Sequence, residues 1–300
     1  MFGINDKEWY NKIQTYGSYG KLNQTDKLLF DKSCLDFFYY ALGHARQYSK
    51  KYIPQILFEI VEDNRFNAKS NLAEMKVKIN RGVFIECCSL YYNLPEEFTI
   101  NDKETLFLFS LYFIIAHELG HLLYCHQKAE IEFPWYKQTR YGRCLEKDAD
   151  CFAITILSSY VKLWAYKMEI TEPISLLITL LRVINGVFLL TQTERDFKLL
   201  RFDEHPFTGF RVAYCINSMK DFFPSKYTDI DVCNYVGWMN NHIIETYDID
   251  SKKVAKYWNK INKYIKGLNK IEDDWFSNVM YIVAKVSFLK VEGVDFPRNK

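Results

Sequence analysis

The stretch Leu106-Phe-Leu-Phe-Ser-Leu-Tyr-Phe-Ile-Ile-Ala-His-Glu-Leu-Gly-His121 decides how this chain folds. Its first part is almost wholly apolar, and two histidines four residues apart follow it directly. A helix that is apolar on all sides belongs in a protein core. With Asn101 or Asp102 as the N-cap and Glu104 in the first turn, we expect this helix to extend to about Gln127.

The two histidines predict a metal site. Residues four apart lie on one face of a helix, so His117 and His121 can direct both imidazoles at one cation. Glu118 lies beside them, where it can act on a metal-bound water. The sequence therefore indicates a zinc centre in which Glu118 is the catalytic base.

A zinc site of this kind needs a third protein ligand, for which the sequence offers two candidates. His126 follows His121 by five residues and is more typical of a surface residue at a helix end, where the dipole favours it. Glu146 begins the acidic first turn of a second helix, and Asp150 lies on the same face. We expect Glu146 to bind the metal and Asp150 to accept the outer N–H of a ligand histidine.

The flanking segments predict an α+β fold that is mostly helical. Helical spacing covers Leu28 to Lys51 and Ile53 to Asn67. Met75 to Ile79 then alternates, and an apolar, β-branched run from Val83 to Cys87 follows a turn sequence. We expect these two runs to form a β-hairpin, one edge of which could bind an extended substrate peptide.

After the central helix the chain favours helices throughout. A second helix is expected over roughly Arg143 to Met168, where Ala149 and Ala153 would let it approach the first closely. A third is expected over Ile174 to Gln192, and the tail from Ile230 to Val291 also has helical spacing. Since no Gly/Ser/Pro-rich linker separates these pieces, we expect residues 1–300 to form a single compact unit.

Composition narrows the classes of function. The chain has 300 residues, of which 49% are hydrophobic and 17% aromatic, and we assign the aromatic excess to the core. The 39 basic and 37 acidic residues leave a net charge of +2, so a DNA-binding function is not expected. The N-terminus has no secretory signal pattern and the eight cysteines include no Cys-x-x-Cys, which predicts a cytoplasmic protein.

Two apolar stretches are candidates for membrane spans. Leu106 to Ala116 is too short. Ile174 to Thr191 nearly has the length, but Arg182 and Asn185 interrupt it. Both predict buried core helices, and no membrane partner is expected.

The motifs in their order resemble those of a known protease group. His-Glu-x-x-His at 117–121 followed by Glu-x-x-Ala-Asp at 146–150 resembles the gluzincin metallopeptidases of minimal size, which include HtpX-type, CAAX-prenyl and ImmA/IrrE-type proteases. His205-Pro-x4-Arg211 is similar to a third element of the HtpX-like group. The resemblance implies that His205 supports the oxyanion and that Arg211 positions the site. Without it, His205-Pro206 is a helix entry with proline at the first position.

In length and its predicted lack of membrane spans the chain looks most like the family of the phage-exclusion protease Lit. The resemblance implies one Zn²⁺ per chain, a metallopeptidase core over 73–215, and helical regions over 1–72 and 216–300. It also implies a cytosolic bacterial protein substrate, such as a translation factor, with cleavage triggered by a phage-derived or other protein. One departure is the spacing, since only 24 residues separate His121 from Glu146.

A second class of function stays open. A regulatory or interaction protein could keep the zinc geometry without peptidase turnover, although zinc retention alone would not need Glu118. Seven lysines between 252 and 270 alternate with apolar residues at helical spacing. We interpret them as a solvated face and do not expect RNA or ribosome contact there.

Overall fold

The computed structural model describes residues 24–92, 100–132, 139–169, 173–191, 208–219, 222 and 279–291. Within these ranges the protein is mostly helical and has one small three-stranded sheet, which confirms the predicted α+β, mostly helical class. The predicted tail helices over 230–278 and the lysines between 252 and 270 lie outside the described residues.

The described elements follow one another along the chain as a helix, three strands and a series of helices. They are α1 (Gln24–Gln47), β1 (Leu57–Val61), β2 (Ala68–Asn71), β3 (Lys76–Asn80), α2 (Arg81–Tyr92), α3 (Ile100–Leu123), α4 (His126–Glu132), α5 (Thr139–Lys167), α6 (Pro173–Thr191), α7 (Thr208–Met219) and α8 (Met280–Val286).

Helix α3, which carries the apolar stretch, lies at the centre of the core. Leu106, Phe113 and Leu119 are at most 2% exposed. Helices α1, α2, α5 and α6 and strands β2 and β3 all pack against α3. The segment Lys103–Glu132 is long and apolar enough to cross a membrane, but 83% of its apolar window is buried by the rest of the chain. The core helix of a water-soluble protein shows the same burial.

The sheet has β3 in the middle, parallel to β1 and antiparallel to β2. In β3 the side chains of Val77 and Ile79 are buried, while Lys76 and Lys78 alternate with them and form ion pairs with Glu74. The strand predicted from the alternation over Met75 to Ile79 is therefore confirmed.

The prediction of a second strand for the hairpin is wrong. Val83 to Cys87 lies in α2, because a short apolar run fits a buried helix as well as a strand. The start of α2 packs tightly on the preceding loop, and a Cβ at Gly82 would lie 2.3 Å from the carbonyl oxygen of Asn64. The actual hairpin pairs β3 with β2, through a turn that ends at Met75 with φ 48°.

The helix predicted over Ile53 to Asn67 is also wrong, since this segment contains β1. Pairing with β3 overrides its helical spacing, and the region predicted as helical up to residue 72 contains two of the three strands. The helix predicted over Leu28 to Lys51 is confirmed as α1.

The helices predicted over Arg143 to Met168 and Ile174 to Gln192 are confirmed as α5 and α6. Helix α3, however, ends at Leu123 and not near Gln127. Cys125 has φ 56°, a left-handed conformation that stops a helix, and α4 begins at the next residue. Helix α3 therefore ends two residues after His121.

Candidate metal centre

Helices α3 and α5 meet where their side chains are smallest. A Cβ at Gly120 would lie 3.3 Å from the Cα of Ala149 and 3.1 Å from Cδ1 of Phe152. Ala149 and Ala153 are fully buried at this contact, which confirms that small residues let the helices approach closely. The close approach brings the histidines of α3 opposite the acidic turns of α5.

His117, His121 and Glu146 converge on one point between these helices. The two Nε2 atoms are 3.0 Å apart. Oε2 of Glu146 lies 3.5 Å from Nε2 of His117, and Oε1 lies 3.3 Å from Nε2 of His121. All three side chains are nearly buried, with exposures between 12% and 17%.

These separations fit a bound cation. With metal–ligand bonds of about 2.0–2.1 Å, a tetrahedral zinc ion would hold its ligand atoms roughly 3.4 Å apart. The separation of 3.0 Å between the two Nε2 atoms is close to that value. The distances of 3.3 and 3.5 Å involve the two different oxygens of Glu146, so this carboxylate faces both imidazoles. Two imidazoles and one carboxylate suit zinc, and other first-row divalent ions also use this donor set. The geometry thus fits a metal ion without identifying the element.

Asp150 lies directly behind His117. Its carboxylate is completely buried, and Oδ1 is 2.9 Å from Nδ1 of His117. The Nδ1–H is not aligned with this oxygen as a regular hydrogen bond. The carboxylate is nevertheless the adjacent acceptor that can keep the proton on Nδ1 and leave the lone pair of Nε2 for the ligand cluster. The structure thus places Asp150 where a metal-binding His117 needs an acceptor.

Arg211 of α7 connects two acidic residues of α5, Asp150 and Glu146. Its Nε and Nη2 atoms lie 2.7 and 2.8 Å from the two carboxylate oxygens of Asp150. Nη2 is also 3.4 Å from Oε2 of Glu146, and the guanidinium lies over the ring of Phe188. The paired hydrogen bonds fix the plane of the Asp150 carboxylate and hence the position of His117.

The charges of this cluster favour a cation at its centre. Burial would raise the pKa of Asp150, but Arg211 and His117 lower it below its ordinary value, so the carboxylate is ionised. Burial likewise opposes the charge on His117, but the adjacent carboxylates of Asp150 and Glu146 raise its pKa to about 10. The metal-free site therefore holds a proton that a metal ion must displace.

The position of His126 differs from the one expected from the sequence. The sequence favours a surface position for it, yet it is only 3% exposed, and its Nδ1 lies 2.7 Å from Nδ1 of His121. Burial first, and the neighbouring His121 second, lower the pKa of His126 well below its ordinary value. Because it meets the opposite side of the His121 ring from the Nε2 ligand atom, it cannot bind the same ion.

The structure gives less information about two other predicted site residues, Glu118 and His205. Glu118 follows His117 on α3 and is partly exposed. His205 lies outside the described residues, and its role as an oxyanion donor stays a prediction.

Comparisons with protein-family models, curated proteins and solved structures found no match. The resemblance to gluzincin proteases therefore rests on the quoted motifs alone.

Proposed function

We propose that this protein is a zinc-dependent endopeptidase that cleaves a protein substrate. The observation that carries the proposal is the convergence of His117, His121 and Glu146, whose candidate ligand atoms all lie within 4.8 Å of one another. The partly exposed Glu118 beside this cluster supplies a candidate base. A metal site with an adjacent accessible carboxylate is the arrangement required for metal-assisted hydrolysis.

The ligand residues would hold one ion per chain. A zinc ion bound there supplies a Lewis acid that lowers the pKa of a bound water to about 7 and polarises a substrate carbonyl. Asp150 keeps the Nδ1 proton on His117, so that its Nε2 stays a ligand atom. Arg211 compensates the negative charge of Asp150 and lies close enough to Glu146 to orient it.

Glu118 would move the protons of the reaction. Its carboxylate takes a proton from the attacking water and later delivers it to the leaving amine of the cleaved peptide bond. Both transfers require a carboxyl that reaches solvent, which its partial exposure allows.

Binding of an extended peptide would have to use a different strand from the one expected. Strand β3 is paired on both sides, so the edge predicted over Met75 to Cys87 is not available. Among the described strands, β1 and β2 form the edges of the sheet. An extended substrate would therefore add to one of these two strands.

The biological setting is proposed from the motif resemblance only. It suggests a cytoplasmic bacterial enzyme that acts in phage defence, with a translation factor as substrate and a phage product as trigger. The alternative is a zinc-binding regulatory protein without peptidase turnover. The two functions can be told apart by one measurement, because only the peptidase shows cleavage that depends on Glu118.

Metal analysis tests the ligand set. The purified protein should contain one zinc ion per chain, and His117→Ala and Glu146→Ala should lose it, whereas Glu118→Gln should keep it. Iron and manganese are measured in the same samples. A Glu146→Ala variant that stays fully loaded would contradict the role of Glu146.

Cleavage is tested by comparing protein N-termini in bacteria that express the wild type or Glu118→Gln, with and without phage challenge. New N-termini that occur only with the wild type would identify the substrate and the trigger. If neither condition gives a difference, the non-proteolytic alternative is favoured.

A further inference from the structure

His126 and His121 form an unusual buried contact next to the ligand cluster. Their Nδ1 atoms are 2.7 Å apart, a distance at which one nitrogen must donate a proton and the other accept it. The rings are nearly perpendicular, and the ring of Tyr124 is stacked parallel to that of His126. The left-handed turn at Cys125 folds α4 back against the end of α3, so that His126 reaches His121.

A metal ion on Nε2 of His121 would determine where each proton in this contact lies. The liganded Nε2 has no proton, so a neutral His121 carries its proton on Nδ1. Nδ1 of His126 must then accept it, and His126 must carry its own proton on Nε2. The opposite arrangement would place a proton on the ligand atom of His121 and block metal binding.

The buried carboxyl group of Asp148 lies on the far side of His126, and burial raises its pKa well above the ordinary value. Oδ2 of Asp148 lies 3.7 Å from Nε2 of His126, which is too long for a direct hydrogen bond. Both atoms are buried, and within the described part of the chain neither has a hydrogen-bond partner. The carboxyl group of Asp148 therefore lies on the Nε2 side of His126 without a hydrogen bond to it.

We propose that His126 is a positioning residue of the metal centre, which accepts the Nδ1–H of His121 and thereby keeps Nε2 of His121 available to the metal. The inference rests on the proposed metal site but not on peptidase activity. It gives the two histidine ligands separate acceptors, Asp150 behind His117 and His126 behind His121.

Two nearly isosteric substitutions test the proposal. In His126→Asn the side-chain oxygen can take the place of Nδ1 and accept the proton, whereas His126→Leu has a similar shape and no acceptor. Removing such an outer partner typically lowers metal affinity 10- to 100-fold. We expect a loss in this range for His126→Leu and a Kd within about threefold of wild type for His126→Asn. The Kd for Zn²⁺ is measured against a competing chelator, and Co²⁺ absorption reports the ligand geometry.

Equal zinc affinity in the wild type and His126→Leu would overturn the inference. Failure of the wild type to bind any metal would overturn it together with the proposed function, whereas metal binding without cleavage would overturn the function alone. A second measurement does not depend on folding of the variants, namely ¹H–¹⁵N NMR of the histidine rings in the zinc-loaded wild type. It should show the proton on Nδ1 of His121 and on Nε2 of His126, and a proton on Nδ1 of His126 would contradict the proposal.

Discussion

At the scale of single residues, the buried pair of Asp150 and Arg211 has the largest expected effect on stability. Asp150 is fully buried, and its only described cationic partners are Arg211 and a protonated His117. Arg211→Met would leave two carboxylates, Asp150 and Glu146, without their guanidinium. We expect the free energy of unfolding to fall by about 3–5 kcal/mol, as when one partner of a buried ion pair is removed.

Urea denaturation of the metal-free proteins measures this loss. The matched control is the double variant Asp150→Asn/Arg211→Met, which removes the buried charge as well and should recover part of the stability. Arg211→Met with wild-type stability would show that the guanidinium does not compensate Asp150.

Glu104 in the first described turns of α3 predicts a pH-dependent stability. Its side chain is buried, Oε1 has no hydrogen-bond partner among the described residues, and burial raises its pKa to about 8 from an ordinary value of 4.5. Between these values the folded protein binds a proton that the unfolded chain has released. The contribution of Glu104 to stability therefore falls as pH rises from about 4.5 to about 8.

Glu104→Gln removes this titration. We expect the wild type to lose more stability than Glu104→Gln between pH 5 and pH 8, measured by urea unfolding at both values. Other groups titrate in this window, and the comparison of the two proteins cancels them. Parallel pH profiles would contradict a buried, protonated Glu104.

The sequence spacing identifies those candidate site residues that lie one helical turn apart. His117 and His121 are one turn apart on α3, and Glu146 and Asp150 are one turn apart on α5. His126 was assigned to the surface because five residues is not a same-face spacing on a continuous helix. Only the left-handed residue Cys125, whose conformation its identity does not predict, brings His126 back to His121.

At the scale of elements, the contact between α3 and α5 determines how closely the ligands approach. A methyl group at Gly120 would meet the backbone of Ala149, which cannot move away as a flexible side chain could. We expect Gly120→Ala to separate the helices, lower the free energy of unfolding by about 1–3 kcal/mol and weaken zinc binding.

Gly43 of α1 is the matched control for this substitution. A Cβ there would meet nothing within 4 Å, so Gly43→Ala should leave zinc affinity unchanged and stabilise the helix by about 1 kcal/mol. Denaturation and zinc titration of both variants check the prediction. Equal behaviour of the two would show that the close approach at Gly120 does not govern the site.

The errors among the elements share a physical origin. Val83 to Cys87 is apolar and β-branched, but burial on several sides suits a helix as well, and local sequence cannot separate the two. Strand β1 forms because β3 is available as a parallel partner, a long-range pairing that helical spacing over Ile53 to Asn67 does not reveal. The long helices α1, α3, α5 and α6 were predictable because their patterns extend over many turns.

At the scale of the whole molecule, the segment 279–291 is joined to the end of helix α3. The carbonyl oxygen of Leu123, the last residue of α3, accepts hydrogen bonds from the backbone N–H of Phe288 and the hydroxyl of Ser287. Lys50, just after α1, donates to a carbonyl of α8, and Ser49 pairs with Leu289. Residues far apart in sequence thus hold the end of α3, two positions after His121.

Because the metal would join α3 to α5, its binding should be visible in the stability of the whole chain. An ion that binds only the folded state stabilises it by about 2.7 kcal/mol at a free concentration of 100 times its Kd. We expect zinc to raise the Tm of the wild type by several degrees in thermal unfolding and a chelator to reverse the rise. His121→Ala should show neither effect, because loss of one ligand opens the cluster while α3 and α5 stay packed through Gly120 and Ala149. A similar rise in both proteins would mean that zinc binds elsewhere on the chain.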